Sequence, residues 1–177
     1  MNKIEIPLSR KKILLGIVGS LLMVSLSIFA FTVADYQTRY SPTLMKMTGI
    51  LGALFFLATG IYGCAKTFDA KLGLIIDDSG ILDNTNAASV GLIRWPDITK
   101  ITTEKVASTR FLLVYVTNPE AYIKNTNGLK RKLMEGNYKM YGTPLSINSN
   151  TLKCNFSTLE KLLNDKFDVF KHNLEGR

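Results

Sequence analysis

The sequence predicts a hairpin of two membrane-spanning α-helices followed by a soluble α+β domain. Two uncharged apolar runs, residues 13–34 and 47–65, lie near the N-terminus. From Gly73 onward the apolar pattern changes from a helical to a strand-like period, and a helical period returns near the C-terminus. A chain of 177 residues suits one ordinary domain beside a small membrane part.

The first apolar run, residues 13–34, is long enough to cross a bilayer. At about 1.5 Å per residue it spans about 33 Å, against a hydrocarbon core of about 30 Å. A secretory signal peptide also begins with basic residues, but its apolar core has only about 7–15 residues. Because the run is longer and a second run follows closely, the sequence predicts a retained transmembrane helix.

The second run, residues 47–65, is rich in glycine. Small residues let helix backbones approach closely in a membrane, where lipid supplies no hydrophobic drive for association. We therefore expect the two helices to pack as an antiparallel hairpin. The small residues that favour this contact are Gly49, Gly52, Gly60 and Gly63 on the second run and Gly16, Gly19, Ser20 and Ser27 on the first.

Basic residues flank the two runs unevenly. Arg10, Lys11 and Lys12 precede the first run, Lys66 and Lys71 follow the second, and the loop 35–46 holds Arg39 and Lys46 against Asp35. By the positive-inside rule this bias places both termini in the cytoplasm. Residues 1–12 are then a cytoplasmic segment, residues 35–46 an extracytoplasmic loop and residues 68–177 a cytoplasmic domain.

Short apolar runs separated by turn residues predict the strands of the domain. Residues 74–76 and 81–82 surround an Asp-Asp-Ser-Gly turn and predict a β-hairpin. Further strands are predicted over residues 90–95, 98–103, 110–117, 144–147 and 152–156. The N-terminal residues 4–8 alternate as well and can return to the domain as an edge strand, where Pro7 is tolerated.

Two longer helices are predicted in the domain. Residues 129–141 contain helix formers, with Leu133, Met134 and Tyr141 as inward candidates and Gly136 as a weak point. Ser157 and Glu160 form a capping box that starts a terminal amphipathic helix. Its apolar face is formed by Leu159, Leu162, Leu163, Phe167 and Phe170.

Three stretches of the chain carry a family resemblance. They are residues 4–12 (IEIPLSRKK), residues 73–81 leading to 93–98 (IRWPDI), and residues 138–147 (YKMYGTPLSI). With the order of the elements, they resemble an uncharacterised bacterial family of two-span membrane proteins with a pleckstrin-homology-like (PH-like) cytoplasmic domain. The resemblance implies a PH-like antiparallel β-barrel or split sheet with a C-terminal amphipathic helix, in the bacterial inner membrane. It implies no activity, because PH-like folds serve many unrelated roles.

Residue types that carry catalysis are sparse. His172, the one histidine, is expected to be a solvated helix-end residue, and Asp77 with Asp78 is expected to form a turn. Cys64 and Cys154 have no metal-ligand spacing and are expected to be free thiols. Trp95 is expected in the core. The sequence therefore predicts no catalytic site, no metal and no cofactor, and we expect a protein that is not an enzyme.

Two basic clusters remain as candidate contact sites, Arg10–Lys11–Lys12 and Lys130–Arg131–Lys132. The net charge of +8 is spread along the chain, and no nucleic-acid-binding motif is present. We expect a membrane-tethered module that binds anionic lipid headgroups or a protein partner of unknown identity. An immunity or assembly protein that neutralises or scaffolds a membrane-acting partner such as a toxin is the alternative, and a homo-oligomer is left open.

Overall fold

A computed structural model of the chain describes residues 3–69 and 72–175. Lys71, which the sequence places after the second span, lies outside the described residues. Within the described residues the chain forms two compact units, a helical hairpin of residues 10–69 and a discontinuous unit of residues 3–9 with 72–175. The second is called the sheet unit below, and each unit is described by itself.

The helical hairpin consists of α1 (Arg10–Val33) and α2 (Pro42–Thr67). Both helices are long and apolar enough to cross a membrane. Each begins earlier than the apolar run that predicts it, because the residues just before the run continue the helix. Ser41 occupies the N-cap position of α2 and Pro42 its first turn, so this pair marks the start of the helix as expected.

Small residues bring α1 and α2 together. A Cβ atom placed on Gly52 or Gly60 would lie 2.8 Å from the Oγ of Ser27 or Ser20, which is closer than van der Waals contact allows. Gly49 and Gly63 face α1 in the same way. The predicted antiparallel packing is therefore confirmed for α2, Ser20 and Ser27. Gly16 and Gly19 have no such neighbour and do not take part in it.

The sheet unit holds two antiparallel sheets. The first has the order β1-β2-β3-β4 and the second the order β5-β6-β7. The strands are β1 (Ile4–Ile6), β2 (Leu74–Ile76), β3 (Gly80–Asp83), β4 (Gly91–Arg94), β5 (Ile98–Val106), β6 (Thr109–Val116) and β7 (Leu145–Ile147). A 3₁₀ turn, Trp95–Asp97, joins the two sheets where Pro96 ends β4.

The N-terminal strand β1 pairs with β2 although the whole helical hairpin lies between them in sequence. Ile4 stands opposite Ile76 and Ile6 opposite Leu74, in antiparallel register. The predicted edge strand is thus confirmed. The sheet unit needs residues 4–6 as well as the chain that follows α2.

Three helices complete the sheet unit: α3 (Pro119–Lys124), α4 (Gly128–Tyr141) and α5 (Phe156–Glu175). On α5, Leu159, Leu163 and Phe167 are buried in the core, as the periodicity predicts. Trp95 is fully buried as expected; its ring stacks on Phe167, and its Nε1 donates to the Asp77 carbonyl at 2.8 Å.

The start of α5 differs from the prediction. Asn155, not Ser157, caps the helix, since its Oδ1 accepts the backbone N–H of Thr158 at 2.8 Å. Glu160 instead accepts a hydrogen bond from the Thr103 hydroxyl on β5. A serine with a glutamate three residues later is a capping box only where the helix starts at that serine, and here the helix starts earlier.

The strand predicted over residues 152–156 is wrong. Leu152 makes one isolated bridge with Leu8, and the Lys153 N–H donates to the Pro7 carbonyl at 2.9 Å. Asn148 starts a turn by accepting the Asn150 N–H at 3.0 Å. Residues 152–155 therefore pass beside residues 7–9 and lead directly into the N-cap of α5, so the segment is too short to form a β-ladder.

Candidate functional site

A groove on the sheet unit is the candidate site. It has a volume of about 520 Å³. Its walls come from the first sheet, the loop between β3 and β4, and the beginning of α4. The lining residues are Leu72, Ile75, Leu82, Asp83, Asn84, Ser89, Val90, Gly91 and Lys130.

The apolar wall of the groove belongs to the sheet face that points away from the core. Strand register places Ile75 opposite Leu82, and Leu82 opposite Leu92. Leu82 and Leu92 keep about two fifths of their surface exposed (41% and 40%). Successive strand residues alternate between faces. Because the neighbours of Ile75, Leu74 and Ile76, are buried, Ile75 points outward.

The loop between β3 and β4 is held in place by side-chain hydrogen bonds. Asn86 donates from its Nδ2 to the Ser146 carbonyl at 2.7 Å and accepts the Ala88 N–H at 2.8 Å. The Thr151 hydroxyl donates to the Thr85 carbonyl at 2.7 Å. These bonds fix the backbone that carries Ser89 and Val90, so this wall of the groove is preformed.

Two lining side chains of the groove are charged residue types, Asp83 and Lys130. Asp83 is buried, and its Oδ1 accepts the Thr85 N–H at 2.9 Å, so the carboxylate stabilises the loop between β3 and β4. Lys130 is half-buried near the start of α4 and lines the groove with its side chain. The arrangement provides an apolar surface with one cationic group, which suits a ligand that is partly apolar and partly acidic.

The side chains of the predicted cluster Lys130–Arg131–Lys132 point in different directions. Consecutive helix residues point about 100° apart. Lys130 faces the groove, the Arg131 Nε pairs with the Glu135 carboxylate at 2.9 Å, and Lys132 is exposed. Of the three, Lys130 alone belongs to the groove.

The cluster Arg10–Lys11–Lys12 forms the first turn of α1, and all three residues are exposed. Cations at a helix N-terminus oppose the helix dipole, at a cost of about 0.3–1 kcal/mol each. The helix holds no acidic residue in that turn to offset them. Their position therefore does not serve helix stability.

Of the remaining polar candidates, Asp77 has a structural role in its turn. Asp77 accepts the N–H and the hydroxyl of Ser79, and these hydrogen bonds lower the pKa of its carboxyl. His172 is exposed in the last turn of α5, and neither Cys64 nor Cys154 forms a disulfide. Cys154 lies in the loop before α5, so its predicted place in a strand is wrong. Within residues 3–69 and 72–175, no His, Cys, Asp and Glu side chains are grouped to hold a metal ion.

Sequence reasoning missed the groove. The available signal was the pairs of adjacent apolar residues in β2, β3 and β4, which make both faces of a strand apolar. Such a pattern does not reveal which element covers the second face.

Comparison of the chain with protein-family models, with curated proteins and with solved structures finds no match.

Proposed function

We propose that the protein is a non-catalytic, membrane-tethered binding module at the cytoplasmic face of a bacterial inner membrane. The observation that carries the proposal is the pairing of β1 with β2. One strand precedes α1 and the other follows α2, and both belong to one sheet. If the two helices cross a bilayer, the sheet unit and the N-terminal segment must lie on the same side, as the positive-inside rule also indicates.

A PH-like fold for the sheet unit has support from the element order. Four antiparallel strands are followed by three more and by a C-terminal helix packed on the core. That order agrees with the family resemblance of the sequence. The hairpin between β1 and β2 then tethers the module through its edge strand and its neighbour.

The groove supports a binding role. Its apolar wall and Lys130 suit an acidic, partly apolar segment of a protein partner or an anionic lipid headgroup with its first acyl carbons. The Asp83 carboxylate is hydrogen-bonded to the loop between β3 and β4, so Lys130 is the charged lining residue that a ligand would contact.

Photo-crosslinking in native membranes tests the binding role. Benzoylphenylalanine replaces Leu82 in the groove of the full-length protein, and products are read by mass spectrometry for proteins and lipids. The control is Val106 at the end of β5, which has similar exposure. We expect specific capture at residue 82 that Lys130→Glu lowers several-fold and that the charge-matched Lys105→Glu leaves unchanged.

The species captured by crosslinking distinguishes the possible binding roles. One stoichiometric protein partner favours an assembly or immunity role, whereas anionic lipid alone favours a lipid-binding module. Equal capture at residues 82 and 106 contradicts the groove as a site.

Membrane sidedness has a separate test. In a Cys64→Ser, Cys154→Ser background, Tyr36→Cys in the loop between the helices should react with an impermeant maleimide added to intact spheroplasts. Val106→Cys should react only after lysis. The reverse pattern contradicts a cytoplasmic sheet unit.

A further inference from the structure

One face of α4 carries an exposed apolar stripe. Leu129 and Met140 are 72% and 71% exposed, and Leu133 between them is 40% exposed. Their spacing of four and seven residues places them on one side of the helix, with Gly136 completing the row. Leu133 was expected to point inward, and the structure corrects this. Leu129, Leu133, Gly136 and Met140 are called the α4 stripe below.

The other side of α4 makes the contact with the sheet unit. Met134 is fully buried, and its sulfur accepts from the Thr126 hydroxyl at 3.5 Å. At the end of the helix, the Tyr141 carbonyl accepts the Tyr115 hydroxyl at 3.1 Å. Because α4 is held through this side, no described part of the sheet unit covers the stripe.

Lysines border the stripe on one side. At about 100° per residue, Lys132 and Lys139 fall along this border, whereas Lys130 points to the groove. Glu135, the acidic residue of α4, falls on the far side and pairs with Arg131. An apolar row beside lysines, with its acid turned away, is complementary to acyl chains below anionic headgroups.

The start of α4 lies near Leu72, the first described residue of the sheet unit after α2. Leu72 and Lys130 line the same groove. Leu72 is joined to α2 by residues 68–71 alone. A helix beside this entry point needs little intrinsic affinity for the bilayer, because the covalent tether supplies a high effective concentration.

We propose that α4 lies on the surface of the membrane that α1 and α2 cross, with the α4 stripe below the headgroups and its lysines on anionic lipids. The proposal rests on the membrane tether proposed above and adds a defined second contact. The occupant is the lipid surface, not a second protein. Anionic headgroups surround an inserted helix, so they reach Lys132 and Lys139 while the acyl chains cover the apolar row between them and the bilayer interior.

The test uses the full-length protein in nanodiscs that contain phosphatidylglycerol and phosphatidylcholine. In the Cys64→Ser, Cys154→Ser background, a nitrobenzoxadiazole fluorophore is attached to Met140→Cys in the stripe or to Arg131→Cys on the opposite side of α4. Phosphatidylcholine with a doxyl group high on its acyl chain quenches only labels that enter the bilayer. We expect several-fold stronger quenching at residue 140 than at residue 131, with blue-shifted emission.

Charge and lipid composition provide matched controls. Quenching at residue 140 should fall several-fold in nanodiscs of phosphatidylcholine alone, and likewise with Lys132→Glu and Lys139→Glu combined. Lys105→Glu with Lys153→Glu, outside α4, should leave it unchanged. The fluorescence of Trp95, the one tryptophan of the chain and a buried one, shows whether each variant retains the fold.

Equal quenching at residues 140 and 131 overturns the proposal. So does protection of residue 140 from iodide without doxyl quenching, because protein and not lipid would then cover the stripe. Failure of capture at residue 82 with doxyl quenching retained would remove the groove as a site and leave α4 at the membrane. Capture at residue 82 without doxyl quenching at residue 140 would contradict the α4 contact alone.

Discussion

The two long helices of the sheet unit, α4 and α5, are both amphipathic, but they present opposite faces to the protein. In α5 the apolar residues Leu159, Leu163 and Phe167 are buried. In α4 the apolar stripe faces outward, and Met134 alone is buried. Helical periodicity therefore defines a stripe in each case, but it does not determine whether protein or another phase covers that stripe.

The two helices differ because different parts of the sheet unit pack against them. The stripe of α5 packs into the main core, where Trp95 stacks on Phe167 and on Phe170. Helix α4 follows β6 and precedes β7 in the chain. It contacts the rest of the sheet unit through Met134 and through its C-terminal turn. Substitutions in α5 should therefore affect mainly stability, and substitutions on the α4 stripe should affect mainly binding. Each experiment below measures unfolding of the full-length protein in detergent by Trp95 fluorescence.

The largest expected effect is on the α5 core. Leu163→Ala removes a fully buried side chain and should lower the free energy of unfolding by about 2–5 kcal/mol. The matched change Leu129→Ala on the α4 stripe should change it by less than about 0.5 kcal/mol. Comparable losses in the two variants would contradict the assignment of the two faces.

The cap of α5 should come next. Asn155→Ala removes the acceptor of the Thr158 N–H and should cost about 1 kcal/mol of unfolding free energy. Ser157→Ala is the control and should have little effect, because Ser157 lies inside the helix. A larger loss from Ser157→Ala would restore the capping box that the sequence predicts.

A smaller gain is expected within α4. Gly136 lies in the helix interior, and a Cβ atom added there would have no neighbouring atom within 4 Å, so Gly136→Ala should stabilise the helix by about 0.5–1 kcal/mol. The same change at Gly142, which ends α4 with a φ of 75°, should destabilise it. Circular dichroism of matched samples would show the change in helicity, and a loss from Gly136→Ala would mean that the stripe is sterically restricted.

The smallest effect is expected for the ion pair on α4. Glu135→Gln leaves Arg131 without its partner at an exposed site and should cost about 0.3–0.5 kcal/mol at low salt. The cost should disappear at high salt because exposed charges are screened. A loss above about 1 kcal/mol would indicate that α4 is packed far more tightly than its exposure implies.

Element types could be predicted from the sequence where a strong local pattern agreed with the packing. Both apolar helices, the turn at Asp77 and the stripe of α5 follow from composition and period. The short path of residues 152–155 could not be predicted, because hydrogen bonds of Thr151 and Lys153 with residues 7–9 decide it. The groove depends on Ile75 and Leu82 facing outward, which period-2 alternation cannot show when both faces of a strand are apolar.

The pairing of β1 with β2 also fixes an order of events during synthesis. The ribosome makes residues 4–6 first, but these residues cannot find their partner until residues 74–76 have emerged, after both helices. Strand β1 must therefore wait for β2, which is made only after both helices. A fragment that starts at residue 68 would leave the edge of β2 open, with unpaired backbone groups that favour self-association. Attempts to isolate this unit should therefore supply residues 4–6, fused ahead of residue 72 or added as a peptide.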